Sequence, residues 1–232
     1  MLRNGLTAVD IVVWFVVFLF SISFHESAHA WTSNKFGDAT ARYLGRITLN
    51  PIPHIDIIGT IIFPLVGLIG GGMMLGWAKP TPVNPLLWRD KKKANILVSA
   101  AGPISNAILA IIAFVIIKVL LVEGIVGLPI QGGPFDLIGP LTNQASFLVP
   151  ISKLLSVMLV LNIGLGIFNF FPVPPLDGSH ILESVLPPHL AEAYEQIRPF
   201  GFILLLGLMY LGVFGFIFYP IMAGVEYLLY GR

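Results

Sequence analysis

Ile11–Phe24, IVVWFVVFLFSISF, runs without a break into His25-Glu26-Ser27-Ala28-His29. Extended from about Leu6 to Lys35, this stretch exceeds the ~20 apolar residues that a bilayer-spanning helix needs, and Asn34 and Gly37 supply a stop. Residues i and i+4 of a helix share a face about one turn apart. His25 and His29 are therefore spaced to grip one zinc ion, with Glu26 beside them as a base for the water that zinc activates. An H-E-x-x-H run arises by chance roughly once in a few hundred sequences of this composition. A plainer reading makes the pair interfacial histidines at a helix end, but it leaves an acid in an apolar segment without a task. A rival reading takes Arg3, the apolar run and Ala28-His29-Ala30 as a secretory signal with an A-x-A cleavage site. Cleavage there would cut the H-E-x-x-H run in two, and N-terminal sequencing of the purified protein separates the two readings.

The composition sets the class. The chain has 232 residues, 56% hydrophobic and 11% charged, with mean hydropathy +0.88. Soluble domains carry about 25% charged residues, so this surface cannot face water all round. Long apolar runs without period-2 alternation indicate helices and not a barrel. The net charge of +1 gives no reason to expect a nucleic-acid partner, and the basic residues cluster beside apolar segments. With no cysteine, any metal ligands must be His, Asp or Glu. No internal repeat or linker divides the chain, so residues 1–232 are expected to form one domain in the cell membrane.

Beyond the first helix, Asp38–Asp56 is rich in turn formers, and Tyr43–Leu49 has enough β character to suggest a short strand or hairpin at the membrane surface. Ile57–Trp77 is apolar but holds Pro64 and Gly70-Gly71-Gly72; a Pro-rich basic loop, Ala78–Lys93, follows it. Ala94–Val122, Phe147–Phe171 and Phe200–Phe218 read as further spans, the last followed by a tail after Pro220, either a bent continuation or an interfacial segment. A short surface helix is expected at His189–Ile197. Positive charge marks the cytoplasmic side. Arg42, Arg46 and the Lys79–Lys93 loop are basic, whereas Glu123–Ser146 has no Lys or Arg. The first helix thus runs outside to inside, and Phe147–Phe171 returns to the same side as His25 and His29. This works only if Ile57–Trp77 starts and finishes on one side, re-entrant and broken around Pro64 or Gly70–Gly72; an ordinary span is the alternative. The expected fold is an all-α membrane protein, a multi-pass helical bundle with a short membrane-surface strand or hairpin and a re-entrant or spanning fifth apolar segment.

Catalytic zinc sites generally use three protein ligands. His54, Asp56, Asp177, His180, His189 and a few Glu are candidates for the third. Asp177 stands out because it follows a span that should end at the depth of the histidines, after Pro172, Pro174 and Pro175, with Gly178 allowing close backbone approach. Asp177 as a plain helix cap is the alternative. His54 and His180 fit interfacial histidines, and Lys91–Lys93 fits a topology signal touching anionic lipid.

Three elements together, His25–His29, Gly102-Pro103-x-x-Asn106, and Asn169-x-x-Pro172-Val173-Pro174-Pro175-Leu176-Asp177-Gly178, resemble the signatures of the site-2 proteases, intramembrane zinc metalloproteases. The resemblance covers about residues 6–186, the catalytic core, and leaves the span at about 200–218 and its tail outside. It implies one zinc ion held by His25, His29 and Asp177, Glu26 as catalytic acid/base, and a single-span membrane protein as substrate. Asn106 and Asn169 are candidates for oxyanion or substrate-positioning amides, or else for plain interhelical hydrogen bonds. A strand at Tyr43–Leu49 could pair with an unwound substrate. The competing function is a metal-ion or proton transporter built on the same His/Glu/Asp cluster. An inactive relative that binds membrane proteins is a third, against which the intact Glu26 argues.

Overall fold

The computed structural model describes residues 7–69, 76–129, 136–141 and 147–231. Helix α1 (Ala8–Lys35) opens with a capping box between Thr7 and Asp10. It packs with α4 (Lys91–Val122) and α5 (Leu148–Phe170) to form the centre of the molecule. One part of the core joins Trp14, Val17, Phe18 and Ile22 of α1 to Val157 of α5. A second joins Ala110, Ala113 and Ile117 of α4 to Leu155 and Leu159 of α5 and to Leu229 near the chain's end. Small and polar residues, among them Ser21, Ser105, Asn106, Ser156 and Asn162, are buried between these helices. Large apolar residues such as Val12, Val16, Ile108, Ile111 and Val119 face outward. This inversion is what lipid as solvent requires: apolar burial gains little there, so close packing and interhelical hydrogen bonds hold the bundle. Among the described residues, four helices, α1, α4, α5 and α9 (Val213–Tyr230), are long and apolar enough to cross a membrane.

Between α1 and α4, a π-helical stretch at Ile57–Ile62 leads into α3 (Phe63–Ile69). Among the described residues the two together fall short of the ~20 residues of a span. Trp77 N–H donates to Gly59 O at 3.1 Å, Thr60 Oγ1 donates to Trp77 O at 2.9 Å, and Lys79 N–H donates to His54 O at 2.8 Å. The segment therefore leaves and rejoins the bundle at one level, as the parity argument requires. Pro64 follows the π-helical stretch without ending the helical run, and Gly59 O, the carbonyl its absent N–H would have met in that register, accepts from Trp77 N–H instead; Gly70–Gly72 lie outside the described residues.

Two expectations are corrected. Tyr43–Leu49 forms no strand. Helix α2 (Thr40–Tyr43) occupies its start, and Gly45 at φ 66 ends that helix, with Gly45 N–H donating to Arg42 O and Arg46 N–H to Ala41 O. That left-handed glycine closure outweighs the local β propensity. The two-stranded hairpin lies elsewhere, where β1 (Val126–Gly127) pairs antiparallel with β2 (Gly139–Pro140). Second, Phe200–Phe218 is not one helix: α8 (Gly201–Tyr210) and α9 are separated at Gly212, whose φ is 72. The tail continues as helix through Pro220 to Tyr230, and Lys118 Nζ donates to Leu228 O and Leu229 O, so α9 ends beside the C-terminal part of α4.

Candidate metal centre

His25 and His29 lie on the inner face of α1, His25 ten residues, about 15 Å of helical rise, before its C-terminal end. Gly102 of α4 faces them. A Cβ there would overlap both imidazoles, so the notch this glycine makes is what lets α4 approach the two rings. After α5 the chain turns through Phe171–Leu176, anchored by Val173 and Leu176 against Leu205. It then folds back as α6 (Asp177–Val185) across α4, where Asn95 Nδ2 donates to Ser184 Oγ at 2.7 Å and to His180 O at 3.3 Å. Gly178 packs directly on the last carbonyls of α5, Phe170 and Phe171, leaving no room for a Cβ. Its close approach is thus to α5 and fixes where α6 begins. Asp177, the first residue of α6, makes no side-chain capping bond and faces the histidines instead.

Asp177 Oδ2 stands 3.2 Å from His25 Nε2 and 3.4 Å from His29 Nε2, and the two Nε2 atoms are 3.0 Å apart. The far side of each ring fixes its proton. His29 Nδ1 lies 2.6 Å from Val98 O, a carbonyl that only accepts, so Nδ1 carries the hydrogen. His25 Nδ1 lies 2.6 Å from Asn106 Oδ1, while Asn106 Nδ2 donates to Asn162 Oδ1 at 2.8 Å. Both Nε2 atoms of the neutral rings then present lone pairs toward a buried carboxylate oxygen that receives no hydrogen bond. Three such lone pairs repel one another unless a cation sits among them. Tetrahedral zinc with ligand distances of ~2.0–2.1 Å places its ligands about 3.3 Å apart, and the observed triangle has that size. The donor set fits zinc.

Glu26 is half-buried beside the histidines and lines the same cavity. Its Oε2 accepts the Thr81 N–H at 2.7 Å, and Thr81 Oγ1 donates to Glu26 O at 3.0 Å. The cavity, about 1610 Å³, joins the four residues to apolar walls from α1, α5, α8 and α9, including Phe18, Leu161, Phe168 and Phe218.

Other candidates fall as follows. Asn106 is fully buried (0% exposed), so its amide is spent on His25 and Asn162 and does not face the cavity. Asn169 lines the cavity and donates to Leu165 O, one turn back. His54 is buried against Thr48 O, and Asp56 caps the π-helical stretch through Gly59 N–H. His180 faces Glu183 at 3.9 Å, and His189 is exposed on α7 (Pro188–Glu195), the surface helix expected at His189–Ile197. None of these four joins the triangle. Asn162, whose Nδ2 donates to Ser21 Oγ at 2.9 Å, was not anticipated. Its signal was present as an amide midway along an apolar span. Thr81 and Arg46 had no such signal, since their parts in the site exist only through the chain's return at 76–81.

Residues 13–208 match Peptidase family M50. The chain is 35% identical over 207 residues, 89% of its length and 84% of the relative's, to the Bacillus subtilis protein named "Putative zinc metalloprotease YwhC". It is 26% identical over 191 residues to "Putative zinc metalloprotease Rip2" of Mycolicibacterium smegmatis, covering 82% of this chain and 64% of that one. The Mycobacterium tuberculosis protein of the same name is 26% identical over 202 residues, 87% of this chain and 66% of the relative. This chain thus spans about two thirds of the length of the Rip2 proteins. No solved structure matches it. The chain belongs to Peptidase family M50, the site-2 protease family, and is a multi-pass membrane metalloprotease.

Proposed function

We propose that this protease binds one zinc ion per chain through His25, His29 and Asp177. With it, the enzyme hydrolyses a peptide bond within or near a transmembrane helix of a single-span membrane protein, in the cell membrane, with residues 1–232 acting as one domain. The observation that carries this reading is the triangle of converging lone pairs beside Glu26, set in a cavity whose walls continue along apolar helices. When bound, zinc supplies Lewis acidity and a nucleophile at neutral pH. Glu26 takes the proton of the attacking water and returns it to the leaving amide nitrogen. The Thr81 N–H holds Oε2 and so fixes the carboxylate plane, leaving Oε1 for proton transfer. His25 is kept in its ligating tautomer by Asn106, and His29 by Val98 O. Asn169 lines the cavity, and in this reading its amide oxygen meets the substrate backbone, since its Nδ2 donates to Leu165 O.

A peptide bond in a substrate helix is shielded by that helix's own hydrogen bonds, and each freed backbone group costs several kcal/mol unless it is satisfied. With Tyr43–Leu49 folded as helix and turn, substrate pairing by a strand there is not part of this reading, and the N–H groups of Trp77, Lys79 and Thr81 beside Glu26 are already spent within the protein. The test is co-expression with tagged single-span candidates, comparing wild type with Glu26→Gln. The expected result is a product from wild type alone, with zinc retained in the variant. Equal cleavage by Glu26→Gln overturns the mechanism. Ion flux in vesicles without cleavage favours the transport reading instead.

A further inference from the structure

Arg46 is 5% exposed, and among the described residues its guanidinium forms no ion pair with a carboxylate. It donates through one Nη to Pro53 O and through the other to Lys79 O and Pro80 O, the last at 2.8 Å. Pro53 lies just before the re-entrant segment, and Lys79 and Pro80 lie just after it, so one cation clips the two arms of the neck. The next residue, Thr81, holds Glu26 by its N–H and its hydroxyl. The amides on this return run alternate inward: Trp77 to Gly59 O, Lys79 to His54 O, Thr81 to Glu26 Oε2. Burying a charge against carbonyls alone is costly, and local structure does not demand it here, since the fold supplies backbone donors to the neck as well. Burial lowers the Arg46 pKa from its ordinary value, and the field of the Glu26 carboxylate acts against that fall.

We propose that Arg46 is a positioning residue. By tying the carbonyls of Pro53, Lys79 and Pro80 together, it sets the Thr81 N–H that orients the Glu26 carboxylate, and so couples the re-entrant segment to the general base. The inference rests on the proteolytic reading only for its consequence on rate; the clip itself is a property of the chain. A guanidinium reaches three carbonyls in fixed directions, whereas an ammonium is a compact point charge on a flexible stem. Arg46→Lys should therefore rescue in part and Arg46→Gln hardly at all.

The experiment uses the full chain in detergent or proteoliposomes, as wild type, Arg46→Lys and Arg46→Gln. Zinc content, hydrogen exchange of the peptide covering 76–84, and steady-state cleavage of a single-span substrate are measured on each. For Arg46→Gln we expect zinc content unchanged and exchange at the 77, 79 and 81 amides faster by about tenfold or more. We expect kcat to fall about 10–100-fold, the scale of a misplaced catalytic group, with KM within about twofold, and Arg46→Lys to be intermediate in exchange and kcat. Unchanged exchange, or wild-type kcat in Arg46→Gln, overturns the proposal, as does activity that falls only in proportion to lost zinc. If Arg46→Gln does not fold, Arg46→Lys carries the same readouts. Arg46-dependent exchange in a wild-type protein that cleaves nothing overturns the proteolytic reading and leaves the clip standing.

Discussion

At the scale of single residues, the centre is governed by where protons sit. Each imidazole spends its Nδ1–H on a fixed acceptor, Asn106 Oδ1 or Val98 O, and turns a lone pair to Asp177. Asn106→Leu should leave His25 free to choose its tautomer and rotate, lowering zinc affinity about 10–100-fold, the usual cost of losing a ligand's hydrogen-bond partner. Competition with a graded chelator measures it. Asn162→Leu should act in the same direction through Asn106, because its Oδ1 fixes which end of the Asn106 amide faces His25. Gly102→Ala tests the notch: its Cβ would land on both rings. Zinc binding should be lost while the helical circular dichroism remains, and retained stoichiometric zinc would contradict this account of the packing.

At the scale of elements, the decisive features are the ends of helices. Asp38 is fully buried after α1 and accepts from Ser33 Oγ at 2.9 Å, Thr40 N–H at 2.9 Å and Asn84 N–H at 2.8 Å, joining three segments. Burial pushes its carboxyl up, but the donors from Thr40, Asn84 and Ser33 outweigh burial and hold it below its ordinary value of 3.8. A depressed carboxyl stabilises the fold above its unfolded pKa and loses that contribution as pH falls through the folded value. Stability of the wild type should therefore drop as pH falls below 3.8, and Asp38→Asn should be less stable at neutral pH with a flatter acid limb, measured by thermal unfolding in detergent. The break between α8 and α9 rests on Gly212 at φ 72, with open space around it. Gly212→Ala should then cost only backbone strain, about 1–2 kcal/mol, read as a lower unfolding midpoint.

At the scale of the whole molecule, parity places the chemistry. Both arms of the segment from Ile57 to Trp77 meet at Gly59, Trp77, His54 and Lys79. Single cysteines at positions 55 and 78 should accordingly be labelled by an impermeant reagent from one face only, and a cysteine at 123 from the other. Labelling of 55 and 78 from opposite faces would require a full crossing and separate Asp177 from the histidines. The same arrangement makes the metal a fastener between α1 and α6, elements far apart in the chain. Stripping zinc should lower the unfolding temperature, and adding it back should restore the temperature in a concentration-dependent way.

The class and the spans through α5 could be read from the sequence alone, which also singled out His25, Glu26, His29 and Asp177, the residues the fold brings to one cavity. Hydrophobic length, a 3.6-residue period and ligand spacing are local quantities that survive without coordinates. The sequence did not show the turn at Gly45, where local β propensity pointed to a strand, or the break at Gly212, which does not interrupt the hydropathy. The roles of Asn106, Asn162, Thr81 and Arg46 were beyond it too, because a buried amide or guanidinium acquires meaning only from what the fold sets against it. Asn106 read from its place in a motif as either a substrate contact or an interhelical hydrogen bond; packing of α4 between α1 and α5 set it as the latter, onto His25 and Asn162. Local propensity names the parts that lipid must accept, and tertiary contact alone decides which polar groups face one another.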